Sequence, residues 1–413
     1  MSGKAVGGAT KPLCYTFSRG RRPVRAVVCR SGPVFAVADH PILRHRLGVA
    51  ALLSVCHRLF NAMRLTLIVP ELLWPEPDDR DTLDGLACPA LTTVIARGRR
   101  TRRPPLSGEA TLCGAFGLGE DVAYAPLRAL GEERPLAVAG GCWICVDPVH
   151  LRLHQERLIL ADGNSLAIAV EEAESIVAEF NRDFADTGTF HVAAPDRWYL
   201  RLAADTDLGH FDVLPLSAVS GRRVGRQLPE TPRLRELRRL LNEAQMVLHA
   251  HPVNERREAQ GQSTINSLWM WGAGVLPATA AGDIAAVWSG DPLARGLGRF
   301  LGVPTAALPA DAAAFLAGAA PEGRHVAVVD ALRAPVHYQD GDTYRAALLE
   351  LEARWFAPLR RALASGRLAA LRIDASTAYG ALTWETSRHE QWRLWRRPRT
   401  LAAVAQALAK EAG

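Results

Sequence analysis

No apolar run in this chain approaches the ~18–20 residues needed to cross a bilayer. The nearest stretch, residues 49–60, is interrupted by His57 and Arg58, and no small-residue cleavage site follows it. Neither membrane insertion nor secretion is expected. Cysteine is sparse as well, with seven in 413 residues, too few for a disulfide framework. Cys142-Trp143-Ile144-Cys145 is a lone CxxC in an apolar, strand-like run. It lacks the helix N-terminus or second ligand pair that redox or zinc chemistry needs, so buried reduced thiols and a cytoplasmic setting are expected. A glycine-rich phosphate loop and a dinucleotide fingerprint are also missing, since Gly272-Ala273-Gly274 lacks a third glycine and a clear following helix.

What remains is an ordinary globular composition, 48% hydrophobic and 22% charged. The length exceeds the ~250–300 residues at which one core stops growing, so two compact units are expected. The net charge of +6 could suggest nucleic acid, but the arginines are dispersed along the chain, with concentrations in the N-terminal segment and at Arg97–Arg103. No nucleic-acid partner is predicted.

Residues 1–62 read as a poorly ordered or weakly helical extension: 1–26 are rich in Gly, Lys and Arg without periodicity, and 40–62 could form one helix. The segment is expected to be an appendage or the product of an upstream start codon. From Met63 the chain alternates strands and helices, with strands expected at 64–69, 136–139, 141–147, 189–194, 197–203, 266–271, 284–288, 325–330 and 368–374. Helices are expected at 109–116, 169–186, 232–250, 292–301 and 343–364. Strands separated by helices predict βαβ units and a mostly parallel sheet flanked by helices. Residues 63–135 and 228–400 are expected to form this α/β core, with 136–227 a smaller inserted α+β domain and 401–413 a C-terminal tail. The helix at 232–250 is well signalled: Thr231 is a natural N-cap, Pro232 suits the first turn, and Leu234, Leu237, Leu241, Ala244 and Leu248 repeat at helical spacing.

The most informative run follows that helix. His251-Pro252-Val253-Asn254 ends it, a polar loop carrying Arg256 and Arg257 comes next, and Asn266 to Gly274 forms a Trp-rich strand running into Gly-Ala-Gly. Helix end, cationic loop and glycine turn suit an anionic small molecule. His251, Asn254, Arg257, Asn266, Trp271, Gly272 and Gly274 are the candidate ligand-binding residues, joined by Arg197 from Arg197-Trp198-Tyr199-Leu200-Arg201. For each, a structural role (backbone groups satisfied, core filled) is the competing reading. At the carboxyl ends of the parallel strands, where open α/β sheets place their chemistry, stand Glu71, Asp291, Asp330 and Asp374. Asp291 and Asp342 are also natural helix N-caps. Ser107, before a helix, could cap it or hold a phosphate.

The block from Asn242 to Gly274 resembles the archaeal-type cofactor-independent phosphoglycerate mutases, metalloenzymes of the alkaline-phosphatase superfamily. It resembles still more the bacterial RpfE-type regulatory family. Asp147-Pro148-Val149-His150-Leu151, Trp355-Phe356-Ala357-Pro358-Leu359 and Trp392 to Pro398 extend the likeness over residues 63–398. It implies an alkaline-phosphatase-like core, Ser107 as the catalytic nucleophile, and Asp330 and Asp374 as metal ligands if the protein is an active enzyme. The departures fall on that metal site. Val69-Pro70-Glu71 stands where the mutases carry Asp-Gly, and Ser107 is followed by Gly108 rather than an acid. Asp330 and Asp340-Gly341-Asp342 have altered spacing, and Asp374 lacks the histidine of the family's Asp-His pair. The resemblance therefore implies a catalytically silent regulatory protein that binds a phosphorylated or acidic metabolite, with no cofactor expected. The alternatives are an active phosphomutase or phosphatase using Mn or Zn, and a scaffold for a protein partner.

Overall fold

The computed structural model describes residues 62–413 apart from Glu120, 155–156, 204–212, 221–222, 225–233, 279–281 and Gly413, together with a short antiparallel pair, β1 (Cys14–Phe17) and β2 (Val24–Val27). That pair lies within the stretch expected to be poorly ordered or weakly helical. The helix expected at 40–62 and the cap at Thr231-Pro232 lie outside the described residues.

Residues 62–413 form one compact unit built on two sheets. The larger has seven strands in the order β12 (Thr305–Ala306), β11 (Ile284–Trp288), β13 (Arg324–Val328), β3 (Arg64–Ile68), β14 (Ala370–Thr377), β15 (Gly380–Ser387), β4 (Arg99–Arg103). The first five run parallel, and β15 and β4 add antiparallel at one edge. This is the mixed α/β architecture with a mostly parallel central sheet that the alternating pattern predicts. Leu67, Val326 and Ile373 in its central strands are fully buried, which is why those strands read as apolar runs rather than alternations.

The second sheet is wholly antiparallel and has six strands: β5 (Trp143–His154), β6 (Arg157–Ala161), β7 (Gly188–Ala194), β8 (Arg197–Leu202), β9 (Arg223–Val224) and β10 (Ser267–Gly274). Here the expected boundary at 228 needs correcting. Strand β10 pairs with β5, Trp269 opposite Asp147, and the Arg235–Ala250 helix buries Leu237, Leu241, Ala244 and Leu248 in the same core as Phe180, Trp198 and Met270. The run to Gly274 thus belongs to the second sheet, and the chain returns to the parallel sheet at β11.

Three further expectations are corrected. No strand forms at 136–139. The polar loop after His251 is a helix, Pro252–Ala259, with His251 as its N-cap and proline at its first position. The expected tail is also a helix, Leu401–Ala412, whose Leu401, Ala405 and Leu408 are buried in the main core at helical spacing. No helix among the described residues is long and apolar enough to cross a membrane. Cys142 and Cys145 are both buried, and burial pushes the Cys145 thiol well above its ordinary range.

One pH dependence follows from the core. His325 is fully buried on β13, taking the Trp288 indole N–H on Nδ1 at 3.4 Å and directing Nε2 to the Ala320 carbonyl at 3.0 Å. Burial lowers its pKa below 6.5, against the pull of the Ala320 and Glu322 backbone groups, and does the same for His191, where Arg201 adds to the effect. Above pH ~6.5 both histidines are neutral folded and unfolded, and they contribute no slope. Below it the unfolded chain binds protons that the folded one refuses, so stability is lost as pH falls from ~6.5 toward the depressed values. Urea unfolding midpoints should fall over that range, and less steeply in His325→Gln. An equal slope in that variant would exclude His325 as a source.

Candidate functional site

A cavity of about 220 Å³ opens at the carboxyl edge of the parallel sheet. Glu71 follows β3, Ser376 and Thr377 close β14, and the Arg333–His337 helix follows β13. Opposite them stand Ser107 and Gly108, at the N-terminus of the Gly108–Ala115 helix, with Ser217 from the second-sheet segment. Its volume falls below the ~300 Å³ of drug-sized pockets, which limits an occupant to a small metabolite.

Arg333 dominates the chemistry of this cavity. Its Nη2 comes within 3.5 Å of where a side chain on Gly108 would begin, so the missing Cβ keeps the space before the guanidinium open. Among the described residues the guanidinium donates no hydrogen bond and forms no ion pair. Burial opposes its charge, but the fields of Glu109, Asp291, Asp330 and Glu71 outweigh burial and hold its pKa above the ordinary value. A guanidinium presents five donors in a planar fork that matches a carboxylate or phosphate bidentately. His337 lies 3.5 Å from Glu71, Nε2 to Oε1, and Glu109 accepts from the Ser217 hydroxyl at 2.6 Å.

Ser107 is present in the cavity, but as an N-cap: its Oγ accepts the Ala110 N–H at 3.0 Å. Among the described residues no histidine, lysine or carboxylate lies within hydrogen-bond distance of that hydroxyl. A serine nucleophile needs such a base or a metal to activate it.

The expected metal ligands do not come together. Asp374 is 2% exposed and turned to the sheet, where both its oxygens accept from Arg372 Nε at 2.9 and 2.8 Å. Its Oδ1 also accepts from the Thr383 hydroxyl at 2.7 Å. Asp330 is exposed and does not line the cavity. Asp291 and Asp340 cap helices, accepting from Ala294 and Thr343 N–H groups at 3.0 Å each. No group of three His, Cys, Asp or Glu suited to a metal ion occurs among the described residues. The donor set does not fit a divalent pair: a guanidinium sits among the carboxylates, and buried Asp374 is already neutralised by Arg372.

The candidate ligand block is corrected most completely. Arg257 is 2% exposed and uses all three nitrogens internally: Nη1 on Glu172 at 2.6 Å, Nε on Ser263 O at 2.8 Å and Nη2 on Leu166 O at 2.5 Å. Asn254 donates to the Leu248 and Ile265 carbonyls, both at 2.7 Å, and accepts Ile265 N–H at 2.8 Å. His251 Nδ1 accepts Val253 N–H at 3.1 Å, and Asn266 clamps both backbone groups of Leu151 at 2.7 and 2.9 Å. Trp271 donates to buried Asp147 at 2.8 Å. Gly272 and Gly274 hold positive φ (+65° and +144°), and side chains there would strike Tyr124 and Ala123. Arg197 is bound to Glu132 through Nε and Nη2 at 3.0–3.2 Å. All eight residues build the second sheet and its supports, and none lines the cavity at the carboxyl edge.

Arg333 and His337 belong to no sequence motif that marks them as binding groups. The available signal was their position in the first helical turns after a central parallel strand.

Comparisons with known proteins bear on this site. No family model matches the chain. It is 26% identical over 241 residues to a 2,3-bisphosphoglycerate-independent phosphoglycerate mutase of Methanosarcina mazei, covering 54% of this chain and 59% of that one. It is also 26% identical over 276 residues to the enzyme of the same description from Methanosarcina acetivorans, covering 62% of this chain and 67% of that one. A protein of Pyrococcus horikoshii with a solved structure aligns over 86% of this chain and 97% of its own, with TM-score 0.52 at 14% identity, which bears on the fold. The match thus spans little more than half of the Methanosarcina mazei relative. At this low identity, the chain is a homologue of the cofactor-independent phosphoglycerate mutases of archaea.

Proposed function

We propose that this chain is a catalytically silent, cytoplasmic phosphoglycerate-mutase-like regulatory protein of the RpfE type. Its carboxyl-edge cavity binds a small metabolite carrying a phosphate or carboxylate. The observation that carries this reading is the unpartnered Arg333 guanidinium facing Ser107 and Gly108 across the cavity. The free N–H groups of the first helical turn point the same way, as donors for the same anion. Silence is supported by Ser107 serving as a cap without a base, and by Asp374 being held by Arg372 and Thr383.

The test is thermal unfolding with 3-phosphoglycerate, inorganic phosphate and glycerol. The two anions should raise the melting temperature, and glycerol at equal concentration should not. Arg333→Met breaks no hydrogen bond but loses the favourable fields of Glu109, Asp291, Asp330 and Glu71, so its apo melting temperature should fall somewhat, and anion-induced stabilisation is read against the variant's own apo value. The substitution should weaken anion binding by roughly 10–150-fold, the equivalent of ~1.5–3 kcal/mol for a charge-assisted pair. Equal stabilisation of the variant would refute the assignment of Arg333. Mutase activity lost on Ser107→Ala, or stoichiometric manganese or zinc in protein purified without chelator, would refute silence and favour the metal-dependent phosphomutase.

A further inference from the structure

On the far edge of the parallel sheet, the fold gathers arginines that look dispersed in the sequence. Strand β4 reads Arg-Arg-Thr-Arg-Arg and is the last strand of the sheet, with four of its five residues exposed and Arg102 half-buried. The segment after β15 lies against it: Arg97 donates to the Gln391 carbonyl at 2.7 Å, and Arg396 to the Gly98 carbonyl at 3.2 Å. This adds Arg393, Arg396, Arg397 and Arg399. Three carboxylates answer these eight arginines. Glu385 pairs with Arg99, Glu390 with Arg393 at 3.5 Å, and Glu411 with Arg100 and Arg102 at 2.8 and 3.6 Å. Arg103, Arg396, Arg397 and Arg399 form no ion pair among the described residues. The surface thus carries about +5, whereas residues 62–413 as a whole hold 39 Arg and Lys against 42 Asp and Glu, net −3. Such a concentration on an otherwise acidic body is not an effect of composition.

Aromatic side chains stand among these charges. Trp395 is 76% exposed and Trp392 69%. Trp395 borders a hollow of about 570 Å³ with Arg100, Arg396, Arg397 and Arg399. Trp384, also lining it, is fully buried, with an indole N–H that has no acceptor among the described residues. Indoles are rarely left this exposed without a partner, since leaving a large apolar side chain in water forgoes roughly 1.5–3 kcal/mol. An acidic peptide would satisfy the arginines, but its carboxylate side chains give two indole faces no rings to stack on. A double helix offers phosphates but keeps its bases stacked inward. A single strand offers both, with phosphates for guanidinium groups and unstacked bases for the indoles.

We infer that this surface, from β4 to Arg399, binds single-stranded nucleic acid, with Trp392 and Trp395 stacking on bases and the unpaired arginines holding phosphates. It is separate from the carboxyl-edge cavity and independent of its occupant. The test uses the full chain and fluorescein-labelled oligo(dT) and oligo(rU) of about 15 nucleotides, read by anisotropy. Binding should weaken between about 50 and 200 mM salt, with a log–log slope near −3, for four phosphate contacts at ~0.7 each. Any basic segment elsewhere would also bind at low salt, so the aromatic variants decide. Trp392→Ala and Trp395→Ala, both at exposed positions, should each weaken binding on the order of ten-fold or more, the effect of one base stack. Heparin binding should not change in them. Preference for oligo(rU) or oligo(dT) would assign the strand as RNA or DNA, and either supports the inference. Unchanged affinity in the Trp392→Ala/Trp395→Ala and Arg396→Glu/Arg397→Glu doubles would overturn it. Displacement by poly-glutamate as effective as by oligonucleotide would overturn it in favour of an acidic protein partner.

Discussion

Arg257→Ala should lower the melting temperature of the protein with no ligand added. The guanidinium is 2% exposed and ties three separate segments together: Glu172 on the Val170–Asp183 helix, the Leu166 carbonyl before it, and the Ser263 carbonyl on the approach to β10. Truncation takes the cationic partner from the Glu172 carboxylate, only 18% exposed and then held by the Ala169 N–H at 2.9 Å, and removes the Arg257 donors from two carbonyls. Removing one partner of a buried pair typically costs about 3–5 kcal/mol, because the remaining charge stays desolvated. Chemical denaturation should show that loss, and Arg257→Lys should recover little of it, since one ammonium cannot reach three diverging acceptors. A ligand-binding role would give the opposite pattern, with the apo protein unchanged and only anion-induced stabilisation lost. Unchanged apo stability in Arg257→Ala would restore the block as a binding site.

The contrast between Arg257 and Arg333 shows what a sequence reveals and what it conceals. Both are arginines near the end of a regular element beside glycine, serine and histidine. The sequence drew attention to Arg257 because its neighbours form an unusual run, His251 to Gly274. That run is unusual because it has to fit together: Asn254 bridges a helix end to Ile265, and Gly272 and Gly274 make room for Tyr124 and Ala123. Its partners lie far off in sequence, Glu172 for Arg257 and Asp147 for Trp271, so the pairing could not be seen. The parallel strands were legible because burial on both faces leaves apolar runs. Strand β4 was not, because an edge strand of arginines has no apolar pattern. The Arg372–Asp374 pair could have been found, since residues i and i+2 of a strand share a face, and that spacing already argued against Asp374 as a ligand.

Asp147→Asn should be the most destabilising conservative change in the second sheet, and the double variant with Arg128→Met should be more stable than Asp147→Asn alone. Asp147 is fully buried and accepts from Arg128 at 2.8 and 2.6 Å, from the Trp271 indole at 2.8 Å and from Trp198 N–H at 3.3 Å. Arg128 also donates to the Tyr199 hydroxyl at 2.7 Å, which donates in turn to buried Glu132 at 2.6 Å. Its guanidinium lies 4.7 and 5.0 Å from the Tyr199 and Trp271 ring centroids. This network joins the Tyr124–Gly131 helix to β5, β8 and β10, and so holds the second sheet against its supporting helix. Asparagine keeps an acceptor for the Trp271 indole but removes the charge that balances a guanidinium with almost no access to water. The expected loss is about 3–5 kcal/mol, the cost of an uncompensated buried charge. Taking away Arg128 as well removes that charge, and an apolar side chain of similar volume then fills the space. Buried pairs replaced whole by apolar residues are often neutral in stability, so the double variant should recover a large part of the loss. A double-mutant cycle in urea measures this directly. If the two losses simply add, the pair is not electrostatically coupled, and the stability of this sheet must come from packing of Trp143, Trp198 and Trp271 instead.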